Sequence, residues 1–237
     1  MRHGILIMTL TLLPFAAEDA RAQSLDQILA RHFEASGQEL LDGVTTVRST
    51  GRAVQMGMEM PFIQVQKRPD KMYLEIDIQG MKLIQAYDGT EGWSVEPWVS
   101  DEPRHISGPE LENLSRTAGI DSDLVNWQGR GYLLTYSGLE QYEGGDAYLL
   151  ELEKEKGVVY RYLIDSDTYL LSKIVTLSDY AGNMVEGETI LGDYRNINGI
   201  SVPTRTEIRF GGQTQMTNYI DKVEFDVSID DAIFRAP

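Results

Sequence analysis

Beyond Gly43 the chain alternates apolar and polar side chains in short runs, and residues 71–78 show the pattern most plainly. There Met72, Leu74, Ile76 and Ile78 share one face, while Lys71, Tyr73, Glu75 and Asp77 share the other. A period of two belongs to a β-strand with one buried face, because successive side chains leave opposite sides of the pleat. Comparable runs cover residues 44–55, 60–67, 81–87 and 92–95, then 131–136, 147–153, 158–165, 169–178, 185–194, 202–210 and 214–225. Among the separators are Arg68-Pro69-Asp70, Gln79-Gly80, Asp88-Gly89-Thr90, Glu143-Gly144-Gly145, Asp165-Ser166-Asp167, Asn198-Gly199 and Gly211-Gly212. Such residues supply the backbone angles of tight turns. The pattern predicts a mainly β (α+β) fold of about eleven or twelve antiparallel strands. A sheet of that length curls, so its concave face must be covered.

Two stretches carry helical spacing instead. Ser24 is placed to cap a helix bearing Leu25, Ile28, Leu29, His32 and Phe33, with Gly37 as its stop. Residues 103–127 interrupt the strands, with Ser107 before Pro109-Glu110 as a helix start and Leu111, Leu114, Ala118 and Leu124 as an apolar stripe broken at Gly119. One or two short helices are expected there. They and the first helix would lid the open side of the sheet.

The N-terminus has a different character. Met1-Arg2-His3 is basic, residues 4–17 are mostly apolar, and Ala20-Arg21-Ala22 is a small-x-small site. This reads as a cleaved signal peptide over residues 1–22, since the apolar run is too short for a membrane span. Residues 23–237 are then expected to form a single domain outside the cytoplasm, most simply in a bacterial periplasm.

Composition removes several chemistries. With 21 Lys+Arg against 37 Asp+Glu the net charge is −16, which argues against binding nucleic acid through counterion release. The absence of Cys excludes disulfides, thiolate nucleophiles and Cys-ligated metals. His3, His32 and His105 leave little for a His-rich metal site. The paired carboxylates Asp121/Asp123, Asp165/Asp167 and Asp230/Asp231 would suit a hydrolase, but each pair falls at a predicted turn or helix start, where Asp caps backbone amides. The Asp-x-Asp pairs lack the Gly and Glu of a calcium loop, and no Gly-x-Ser-x-Gly elbow is present. No catalytic residue, cofactor or metal is expected. Met56, Met58, Met60, Met72 and Met81 read as strand packing plus an exposed hairpin tip, or as a surface adapting to cargo. Trp93 and Trp98 flank Glu96-Pro97, either capping a barrel end or rimming a pocket.

The order of elements, leader, helix, meander, helical interruption and second meander, resembles the LolA/LolB-like family of periplasmic lipoprotein carriers. Val65-Gln66-Lys67-Arg68-Pro69-Asp70 is similar to that family's strand-ending basic-basic-Pro-Asn/Asp turn. Residues 87–97, from Tyr87-Asp88-Gly89 through Trp93 to Pro97, resemble its Asp-Gly, aromatic, Pro hairpin, and Phe234-Arg235-Ala236-Pro237 its closing Phe-x-x-Pro. The chain departs from the pattern at Met72, where the family has an aromatic soon after the turn. The resemblance implies an unclosed β-barrel with an α-helical lid and an apolar interior for acyl chains. It also implies that Arg68 hydrogen-bonds lid backbone groups as a latch, the alternative being a solvated turn residue.

On these grounds Met72, Leu74, Ile76, Leu83, Trp93, Leu134, Tyr136, Tyr160, Tyr162 and Ile174 are placed inward as ligand-binding positions, faced by Leu111, Leu114, His32 and Phe33 of the lid. The expected function is a monomeric periplasmic carrier of acylated lipoproteins or lipids, exchanging cargo with membrane-bound donor and acceptor proteins. A sensor or scaffold of the same fold, and a small-molecule enzyme built in the cavity, are the alternatives. The carrier needs a concave apolar surface not filled by the protein's own side chains.

Overall fold

The computed structural model describes residues 23–155, 158–180 and 183–236, apart from the side chains of residues 155, 177–180 and 183–185. The expected leader, residues 1–22, lies outside the described residues. Two helices come first, α1 (Leu25–Ser36) and α2 (Gln38–Asp42), followed by strands β1 (Thr46–Gln55), β2 (Met58–Lys67), β3 (Lys71–Ile78), β4 (Met81–Tyr87), β5 (Gly92–Glu96) and β6 (Ser100–Ile106). After α3 (Pro109–Ala118) come β7 (Leu133–Tyr142), β8 (Gly145–Glu155), β9 (Val158–Asp165), β10 (Leu171–Tyr180), β11 (Asn183–Ile197), β12 (Ile200–Phe210) and β13 (Gln213–Phe225). A 3-10 turn over Asp231–Phe234 follows.

All thirteen strands form one antiparallel sheet in the order β6-β5-β4-β3-β2-β1-β13-β12-β11-β10-β9-β8-β7. The first and last strands pair at its centre, with Val47 opposite Phe225. The sheet's edges are β6 and β7, which do not meet, so the barrel is unclosed. The strand that sequence patterning misses is β6. Its residues Ser100 to His105 are exposed and include Pro103, and an edge strand with a wet surface has no alternation to read.

The start of α1 follows its sequence signal. The Ser24 hydroxyl accepts from the Gln27 amide and the Gln27 side chain accepts from the Ser24 amide, closing a capping box. Gly37 ends α1 at φ 76° and immediately opens α2, a short helix with no signal of its own. A β-carbon at Gly37 would lie 2.3 Å from the Gly199 carbonyl oxygen. Gly37→Ala therefore combines a left-handed backbone with a clash, and should cost roughly 2–4 kcal/mol in urea denaturation. Helix α3 begins one residue later than its Ser107 signal, at Gly108, with no side-chain cap and Pro109 in the first turn.

Three apolar clusters share the concave face. Under α1, Ile28 and Leu29 pack with Leu134, Leu150, Leu152, Tyr162 and Ile164. Under α3, Leu114 and Ala118 pack with Met72, Tyr87 and Ile106. The third, formed by Ala53, Met60 and Phe62 with Leu74, Ile76, Met216 and Ile220, contains no helix residue. The methionines divide accordingly: Met60 and Met72 are buried, whereas Met56, Met58 and Met81 are exposed at hairpin tips. Those tips, with exposed Trp98, Val99 and Phe210, lie at the end of the sheet opposite Arg68.

Candidate functional site

The lid is fastened where β2 ends. Arg68 donates from Nε to the Val44 carbonyl at 2.7 Å and from one terminal nitrogen to the Leu41 carbonyl, in α2, at 3.0 Å. Both terminal nitrogens also donate to the Asp121 carboxylate, just beyond α3. Two residues earlier on the same strand, Gln66 Nε2 donates to the carbonyls of Thr117 and Gly119 at 3.0 and 2.8 Å, satisfying the open end of α3. Arg68 thus ties α2 and the segment after α3 to a fixed strand. Its guanidinium holds the Asp121 carboxyl below the usual carboxylate range, so this contribution is present at neutral pH and is lost as pH falls through the lowered value.

Two clefts lie beneath and beside this lid. One, of about 510 Å³, lies between α1 and α2, residues 119–123 and the concave face of β9–β12. Its walls include Leu41, Tyr162, Leu170, Leu171, Ile174, Leu191, Ile200 and Pro203, with His32, Arg116 and Asp121 among the polar members. That volume lies within the roughly 300–1,000 Å³ typical of small-ligand pockets. The other, of about 550 Å³, runs between α3, the approach to β7, the end of β8 and the start of β9, and is lined by Asp70, Glu112, Arg116, Arg130, Tyr132, Lys154 and Tyr160 among others. Arg116, Gly119, Ile120, Asp121 and Asp123 line both. The segment 119–123 is the partition.

The positions inferred from sequence are distributed over this face. Tyr162 and Ile174 line the apolar cleft together with His32, and Tyr160 lines the polar one. Leu134, Tyr136, Tyr160, Tyr162 and Ile174 gather under α1 with Phe33. Met72 and Leu74 gather under α3 with Leu111 and Leu114. Ile76 joins the third cluster, and Leu83 sits opposite Ile76 on the same face. Met72 and Leu134 are 3% and 4% exposed, so packing within the protein already uses their surface.

Trp93 is a correction. It pairs with Ala86, which pairs with Tyr73, and this row faces away from the trough. Trp93 instead donates from Nε1 to the Phe234 carbonyl at 3.1 Å, helping to hold the C-terminal turn on the outer face. Asp231 of that turn binds Lys67 and Lys71, at 2.6 and 2.8 Å.

Sequence reasoning also missed the partition's ion pairs. Asp165 and Asp230 cap backbone amides as expected of turn residues. Asp121 and Asp123 are instead held by cations from distant strands and loops. Asp123 bridges Lys154 and Arg130 and accepts from the Tyr162 hydroxyl at 3.2 Å. Burial beside that carboxylate drives the Tyr162 phenol well above its ordinary range, so it stays a donor. No local signal distinguishes these aspartates from the capping ones. For Leu191, the alternation along β11 was available.

His32 in α1 is 6% exposed and its Nδ1 lies 2.8 Å from the Tyr169 carbonyl. Burial lowers its pKa from 6.5, so the folded state holds it neutral. Stability from this group is complete above pH 6.5 and falls below it as the unfolded chain takes up a proton. Between about pH 7.5 and 5.5 the wild type should lose more stability than His32→Asn, as read by urea midpoints.

No protein-family model matches the chain, and no curated protein matches it. Solved structures do share its architecture. A DUF1329 family protein from Desulfovibrio piger superposes with a TM-score of 0.58 at 17% identity, over 88% of this chain and 97% of that one. A proposed outer membrane lipoprotein-sorting protein domain from Vibrio parahaemolyticus gives 0.58 at 13% identity, over 87% and 97%. The LolA superfamily protein NE2245 from Nitrosomonas europaea gives 0.58 at 16%, over 90% and 98%. The matches run across near-complete chains, and the fold of this chain is LolA-like.

Proposed function

We propose that this protein is a periplasmic carrier that takes the acyl chains of lipoproteins or lipids into the apolar cleft beneath α1 and α2, releasing them toward the outer membrane. The observation that carries the reading is the cleft itself, about 510 Å³ of apolar-walled space between a curved sheet and a fastened lid. Each acyl methylene transferred from water contributes about 0.8 kcal/mol, so a dozen give on the order of 10 kcal/mol before ordering costs. Two solved structures of the same fold are described as a lipoprotein-sorting domain and a LolA superfamily protein, which supports cargo of this kind. The Arg68 contacts supply the closed state. A transfer cycle requires cargo to favour an open state, because a ligand shifts only an equilibrium whose two states it distinguishes. Delivery requires meeting a bilayer, and the exposed Met56, Met81, Trp98 and Phe210 tips suit that contact. No catalytic group is needed for this cycle.

The test is mass spectrometry of gently purified protein together with titration by a fluorescent fatty acid. Acylated cargo at near-equal stoichiometry, displaced by the probe, is expected. Protein that carries no lipid and binds no probe would refute the carrier. A stable complex with a protein partner and no cargo would favour the sensor instead.

A further inference from the structure

The polar cleft lies across the partition from the apolar one, and its cations are unevenly used. Lys154, on the concave face of β8, is 14% exposed in its side chain. It lies 4.4 Å from the Tyr160 ring centre and binds Asp123. Arg130 reaches the same carboxylate at 3.4 Å. Arg116, exposed on α3 and lining both clefts, donates only to the Tyr160 hydroxyl at 3.4 Å and makes no ion pair among the described residues. Two cations therefore hold one carboxylate at the junction of an apolar and a polar space, and a third, Arg116, lines the same cleft without an ion pair among the described residues. The wall beside Arg116 carries Glu112 and Asp70.

Resting on the carrier reading above, we propose that this cleft binds the headgroup of the cargo, and that the headgroup carries a phosphate. The phosphate takes the donors of Lys154, Arg130 and Arg116. An amine beside it faces Glu112 and Asp70, so a zwitterionic headgroup answers both the cations and the acids, whereas a bare phosphate answers the cations alone. Asp123 is the internal stand-in for that phosphate when the site is empty. Its displacement frees the Tyr162 hydroxyl and releases the Asp123 side of the 119–123 partition, leaving the Arg68–Asp121 pair and the Gln66 bond to the Gly119 carbonyl in place. Headgroup and acyl chain then bind cooperatively, because each favours the same opened partition.

The experiment titrates full-length mature protein with lysophosphatidylethanolamine and with monoacylglycerol of the same chain length. Charge-assisted contacts to two or three cations predict at least about tenfold tighter binding of the phospholipid. Lys154→Met, which keeps the stem packed against Tyr160, and the exposed Arg116→Gln should each bring the two affinities within about threefold, with circular dichroism unchanged. Equal affinities in the wild type, or a preference intact in both variants, would overturn the headgroup assignment while leaving the carrier reading standing. If neither lipid binds, the carrier reading itself falls. Inorganic phosphate serves as the second source of the same chemistry. Weak competition, at millimolar levels, is expected. Displacement of the phospholipid by micromolar phosphate would identify a free-phosphate site and reject a lipid headgroup.

Discussion

Replacing Ile174 by aspartate should abolish acyl-probe binding, a loss of at least ~100-fold, with the chain still folded. Ile174 is half-buried on β10, opposite Tyr162 of β9, and lines the apolar cleft. A carboxylate there must stay hydrated, so cargo entry would desolvate a charge, at several kcal/mol. Ile174→Val removes one methylene and should weaken the probe by only a few-fold. A far-ultraviolet spectrum and melting curve, measured beside the titration, separate loss of the cleft from loss of the fold. Wild-type probe affinity in Ile174→Asp would remove this wall from the binding site.

The second large effect concerns the latch. Arg68→Leu deletes the bonds to the Leu41 and Val44 carbonyls and leaves Asp121, 19% exposed in its side chain, without its guanidinium. Losing one partner of a part-buried pair and exposing two carbonyls should cost about 2 kcal/mol. Exchange of backbone amides in α2 and residues 117–123 should then accelerate about 30-fold, while the central strands β1 and β13 keep their protection. Arg68→Lys should recover only part of this, since an ammonium cannot serve a carboxylate and two carbonyls in the geometry of a planar fork. Uniform loss of protection across the sheet would return Arg68 to a general folding role. If Arg68→Leu also binds probe faster, the latch sets the rate of entry.

Much of this architecture is legible along the chain because its signals are local. Alternation in β3 assigns Met72, Leu74 and Ile76 to one face, and the register against Tyr87, Gln85 and Leu83 keeps them there. Ser24 and Gly37 bound α1 through hydrogen bonds and a backbone conformation that involve only their neighbours. Edge strand β6 was illegible because its polar residues face water whichever way they point. Trp93 shows a different limit. Its parity within β5 is plain, but which parity faces inward depends on the turn after Tyr87 placing Gly92, not Trp93, on the α3 side. A shift of one residue exchanges the two faces, and no residue of β5 alone records the choice.

What the sequence determined by itself is therefore the strands other than β6 with their turns, the apolar faces of α1 and α3 and the acidic, cysteine-free chemistry of the whole. Each follows from periods and dihedral preferences spanning a few residues. Tertiary structure alone decided that Arg68 and Asp121, 53 positions apart, meet at the lid, and that Lys154 comes to Asp123. It also decided that the concave face packs against both α1 and α3 yet leaves a cleft between α1, α2 and β9–β12. Ion pairs between distant segments and the volume left between packed elements depend on how every element is placed at once, and no local period encodes them.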